Sequence, residues 1–98
     1  MINRIVRLSF DKTKVNEFVD LFNSTKMQIA SFEGCKSLTL LKDFNEPNVF
    51  YTYSVWDSEE HLNKYRYSDF FKETWSKTKA LFNAKPQVFS LIVEDIIK

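Results

Sequence analysis

Residues 49–75 read V-F-Y-T-Y-S-V-W-D-S-E-E-H-L-N-K-Y-R-Y-S-D-F-F-K-E-T-W. Residues 49–56 are mostly β-branched or aromatic, which suits a strand. Asp57 and Ser58 follow with helix-cap chemistry, and Asp57 with Glu60 has the spacing of a capping box. A helix is expected from there. Ser68 is expected to cap a second helix reaching about Asn83, with Phe71, Trp75 and Phe82 on one face. A strand feeding directly into a helix pair is the hinge of the whole pattern.

The same periodicities extend outward. Asn45-Glu46-Pro47-Asn48 is a turn by composition, so residues 36–44 and 49–56 read as a hairpin. Leu38, Leu40 and Phe44 would share one face of its first strand. Residues 2–10 alternate, with Ile2, Val6, Leu8 and Phe10 on one side and Arg4 interrupting them. Val15, Phe18, Val19, Phe22 and Ile29 recur at helical spacing across residues 13–31. Gly34, the only glycine, suits the left-handed position that closes a helix. Pro86 breaks the pattern again, and residues 87–95 alternate as a last strand.

The order strand, helix, strand, strand, helix pair, strand predicts an α+β fold of the ferredoxin-like βαββαβ type. It implies a four-stranded antiparallel sheet with helices on one face, in a single domain over residues 1–98. A sheet with one wet face should alternate apolar and polar. Here Val49, Tyr51, Tyr53 and Val55 occupy the face away from the helices. That patch predicts a homodimer packed sheet to sheet into a barrel-like core.

Net charge is +1, from 14 basic and 13 acidic residues that are interspersed. Without a basic cluster, nucleic acid is not an expected partner. No apolar run is long enough to span a bilayer, and the N-terminus lacks a signal-peptide layout. Cys35 is a lone cysteine and has no internal disulfide partner. A cytoplasmic location is expected. The 10 Phe, 4 Tyr and 2 Trp can fill a small core, or also line a cavity for a flat apolar ligand.

Glu33-Gly34-Cys35, Val55-Trp56-Asp57-Ser58, His61-Leu62 and Ser68-Asp69-Phe70-Phe71 resemble the antibiotic biosynthesis monooxygenase family of dimeric α+β barrels. The resemblance covers nearly the whole chain through the order of elements. It implies the fold more strongly than the chemistry, because similar proteins include quinol and phenol oxygenases, haem degraders and isomerases. The haem-degrading branch has an Asn, a Trp and a His where this chain has Val6, Tyr65 and Trp75. An indole cannot ligate iron, so haem degradation is not expected. The remaining branch implies a cofactor-independent monooxygenase that brings O2 to a small aromatic, phenolic or quinol-type substrate. No metal and no cofactor are expected, since one His and one Cys far apart make no metal site. The alternatives are a small-molecule-binding or stress-linked module without turnover, and an isomerase or lyase on a small carbonyl compound.

For the monooxygenase, His61, Trp56 and Tyr65 are the candidate catalytic residues. His61 is the only histidine, the side chain most often used as a general base, and lies four residues from Tyr65 on one helix. His61 and Tyr65 would form a base and a phenol donor at a pocket mouth, or a solvated residue beside a packed one. The Trp56 indole N–H would donate to a substrate oxygen, or be satisfied within the core. Thr52, Ser54, Phe22, Phe71 and Trp75 are the candidate substrate-binding residues, each also explained by packing.

Overall fold

Strands form where the period-two pattern lies, and helices where apolar residues recur every three or four positions. The computed structural model describes residues 1–98. In chain order the elements are β1 (Ile2–Ser9), α1 (Val15–Ala30), β2 (Cys35–Lys42), β3 (Val49–Trp56), α2 (Glu59–Arg66), α3 (Asp69–Lys79) and β4 (Gln87–Leu91). The sheet order is β2-β3-β1-β4, and every pairing is antiparallel. This is the expected ferredoxin-like α+β arrangement. No helix is long and apolar enough to cross a membrane.

Register decides which side chains meet. Ile2 lies opposite Trp56, Arg4 opposite Ser54, Val6 opposite Thr52 and Leu8 opposite Phe50. The even-numbered residues of the two central strands therefore share one face, and the helices cover it. Val6, Leu8, Phe10, Phe18, Phe50 and Leu81 form the buried cluster. Phe10 is wholly buried, with its ring centroid 4.1 Å from that of Phe18. This cluster fills the layer near the end of β1. A second aromatic row, Trp56, Tyr65, Phe71 and Trp75, lies toward the start of β1. The aromatic surplus thus serves a core at one end and a cavity wall at the other.

Four expectations are corrected. The cap of α2 is Ser58 rather than Asp57: its Oγ accepts from the His61 backbone N–H, while Asp57 pairs with Lys36 at 3.5 Å. β2 stops at Lys42 and leaves Phe44 99% exposed. The cause is Asp43, whose carboxylate accepts from the N–H groups of Asn45 and Glu46 and turns the chain. α3 stops at Lys79, because the following residues return to β1: Phe82 bridges Phe10, and the Asn83 N–H donates to the Ser9 carbonyl. β4 stops at Leu91, which pairs with Asn3; past that point only Ile2 of β1 remains, too little to carry the strand on to residue 95.

Candidate active site

Between the sheet and the helices lies a cavity of about 330 Å³. It sits at the small end of ligand pockets, which run from about 300 to 1,000 Å³. β3 gives it Thr52, Ser54 and Trp56, and β1 gives Arg4 and Val6. α1 contributes Phe22, α2 contributes Tyr65 and Arg66, and α3 contributes Phe71 and Trp75. Exposed Tyr67 and Val88 also touch it and mark its mouth. Seven of the eight predicted site residues therefore line one space.

The walls are aromatic by construction. Trp56 is fully buried, and Tyr65 stacks on it with centroids 5.0 Å apart and planes at 21°. Phe71 meets Tyr65 edge-on at 5.0 Å and stacks on Trp75 at 6.0 Å. The Trp56 indole N–H donates to Ser54 Oγ at 3.0 Å. That N–H is already engaged, so Trp56 is a wall rather than a donor to a ligand. Ser54 Oγ accepts this bond and keeps its own proton to give.

Burial pushes the Tyr65 phenol up to about 12, with the nearby Arg4 guanidinium pulling partly the other way. A phenol whose ionisation is raised this far stays protonated at any physiological pH. Tyr65 is therefore a donor and not a base.

His61 is the exception among the predicted residues. It does not line the cavity. Its Nδ1 lies 2.8 Å from Ser58 Oγ, and its Nε2 lies 3.6 Å from Glu33 Oε1. Its ring covers Gly34, where an added Cβ would come within 2.3 Å of His61 Cγ. Four-residue spacing placed His61 and Tyr65 on one helix, but the cap Ser58 and the empty place at Gly34 draw the imidazole away from the cavity. The expected base and phenol do not share a pocket.

Two charged residues were missed as site residues. Arg4 did leave a trace, as the one charge on the apolar face of β1. Arg66 carried no such sign beyond following Tyr65. Val6, Tyr65 and Trp75, the positions compared with haem degraders, do converge on the cavity. They bring an alkyl group, a neutral phenol and an indole, which do not suit an iron porphyrin. No group of three or more His, Cys, Asp or Glu is arranged to hold a metal ion.

The family profile of antibiotic biosynthesis monooxygenases matches residues 1–76. The chain belongs to that family. Its fold recurs in solved structures at low identity. A conserved protein from Methanosarcina mazei is 21% identical with a TM-score of 0.88, over 92% of this chain and 89% of that one. A Mycobacterium tuberculosis protein, Rv0793, is 15% identical with a TM-score of 0.88, over 99% of this chain and 98% of its own. A variant of SnoaB from Streptomyces nogalater, described as a cofactor-independent oxygenase, is 17% identical with a TM-score of 0.87, over 98% and 95%. No curated protein matches the chain in sequence.

Proposed function

We propose that this family member is a monooxygenase that brings O2 to a small, flat phenol or quinol without a cofactor. The observation that carries the reading is the cavity: aromatic walls, a protonated Tyr65 and the Ser54 hydroxyl facing one space. The family membership and the description of SnoaB support the reaction class. In the reaction, a phenol loses its proton and its ring carbon bonds to O2. The O–O bond then breaks and the carbon loses its hydrogen. One oxygen becomes a quinone carbonyl and the other leaves as water. The substrate supplies all four electrons, so no external reductant is needed. Tyr65 and Ser54 stabilise the developing oxygen charge. Trp56, Phe71 and Trp75 clamp the ring, and Thr52 and Phe22 close the space around it. The isomerase alternative loses its base, because His61 lies elsewhere.

An oxygen electrode with a panel of phenols and hydroquinones tests this. Wild type is expected to consume one O2 per quinone carbonyl formed, without releasing hydrogen peroxide. Tyr65→Phe should lower kcat by about 10²-fold, the effect of losing one charge-stabilising donor. His61→Ala should change it little. No uptake above the blank with any member of the panel would refute the reaction.

The same proposal includes a homodimer through the outer face of the sheet. Ile5, Tyr51, Tyr53, Leu41 and Phe89 share that face by register, and Leu41 and Phe89 are 46% and 48% exposed. Tyr53 donates to Asn3 Oδ1 at 2.7 Å across the same face. Light scattering at micromolar concentration is expected to give twice the chain mass, and a monomer would count against the interface.

A further inference from the structure

Arg4 sits on the helix-facing side of β1, between Ser54 and Ser90 in register, in line with Val6, Leu8 and Phe10. A charge among apolar neighbours is normally paired, because desolvating it alone is costly. The chain makes five ion pairs, and neither Arg4 nor Arg66 is in any of them. The one side-chain partner of Arg66 is a neutral amide, Asn63 Oδ1 at 3.3 Å, and its guanidinium lies 5.9 Å from the centre of the Tyr67 ring. Both arginines line the cavity, and their charges are close enough to repel one another.

The remaining lining decides what they await. No Asp, Glu, His or Cys faces the cavity from any element. Besides the two arginines, its titratable groups are Tyr65 and Tyr67; α1, β2, β3, α3 and β4 contribute only apolar or hydroxyl side chains. Two positive charges therefore face an aromatic space that holds neither a counter-ion nor a base. An uncharged ligand would leave both unpaired.

We propose that the cavity binds its aromatic ligand as an anion, with an ionised phenol or enol oxygen held by Arg4 and Arg66. This rests on the function proposed above and narrows it to substrates acidic enough to bind already ionised. The guanidiniums do the work a general base would otherwise do: they lower the ionisation of the bound phenol instead of taking its proton. Burial and the neighbouring Arg66 already push the Arg4 guanidinium downward, a tension that an anion between them relieves. Tyr65 adds a neutral donor to the same ligand.

The test uses 4-nitrophenol, whose anion is coloured, and 4-nitroanisole, its non-ionising counterpart. Binding of both is followed by quenching of Trp56 and Trp75, and ionisation of the bound phenol by absorbance against pH. On the full chain, bound 4-nitrophenol should ionise about 1–3 pH units below the free compound, the usual reach of adjacent opposite charge. By linkage its anion then binds about 10- to 1,000-fold tighter than its neutral form. Arg4→Met and Arg66→Gln should each remove about tenfold or more of that preference and leave 4-nitroanisole binding unchanged. A merely structural arginine would weaken both probes together.

If Arg4→Met does not fold, the wild-type pH titration and Arg66→Gln still decide. Failure of 4-nitrophenol to bind, ionisation at or above that of the free phenol, or a preference that survives substitution overturns the proposal. Anion preference without oxygen uptake would overturn only the monooxygenase reading. Oxygen uptake without anion preference would overturn only this one.

Discussion

Trp56→Ala is expected to lower stability by about 3–5 kcal/mol, the usual cost of deleting a large buried aromatic. Trp56 is the largest fully buried side chain. It ends β3 opposite the start of β1, and it carries Tyr65 on its face. Its loss opens a void beside an existing cavity, so neighbouring side chains have little reason to collapse into the space. It also removes the N–H that donates to Ser54 Oγ. Domains of this kind hold only about 5–15 kcal/mol in all. The denaturation midpoint should fall by about 15 °C or more. Trp56→Phe keeps most of the wall and loses only the N–H and part of the ring, so its cost should be clearly smaller. Far-UV circular dichroism on heating, with urea titration alongside, measures both. A loss below about 1 kcal/mol for the alanine variant would mean that Trp56 does not hold the layer together.

What was legible in the sequence follows from which forces act locally. Period-two alternation at residues 2–10 marked the faces of β1, because a one-residue slip would reverse every side chain, whereas residues 49–56 carry apolar or aromatic side chains on both faces and were legible as a strand by composition. Seven cavity residues were legible in turn: once the helix-facing side of β3 is known, Thr52, Ser54 and Trp56 must meet whatever the helices present. Element ends were less legible. Phe44 looked like a strand residue, yet the Asp43 carboxylate ends the strand first. The sequence kept alternating past Leu91, but beyond Asn3 its partner strand has only Ile2 left. The role of His61 was not legible, since helical spacing gives the face of a backbone and not the aim of a side chain. Arg4 was visible as a break in an apolar face, but its lack of a partner is a three-dimensional fact.

Gly34→Ala should be the other strongly destabilising single change, at about 2–5 kcal/mol, and two separable causes add up to it. Gly34 has φ +86, a left-handed value that costs an ordinary residue about 1–2 kcal/mol. In addition, the new methyl would lie 2.3 Å from His61 Cγ and 2.4 Å from His61 Cβ. Relieving such an overlap by shifting packed atoms costs about 1–3 kcal/mol. α1 already closes at Ser31, whose φ is −85, so Gly34 does more than stop a helix. It turns the chain into β2, and its carbonyl accepts from the Asp57 N–H at 2.8 Å. Its missing side chain is the space that His61 fills.

A double-mutant cycle separates the two causes. His61→Ala removes the ring but keeps Cβ, so Gly34→Ala should remain costly in that background. His61→Gly removes both contacts and should leave mainly the backbone strain, on top of about 1 kcal/mol for a glycine in a helix. Equal costs of Gly34→Ala in all three backgrounds would show that the close approach to His61 carries none of the penalty. Because His61 lies outside the cavity, these losses should appear in stability alone. Under conditions where each variant is folded, its affinity for 4-nitrophenol should match wild type. A coupled loss of affinity would instead tie His61 to the cavity.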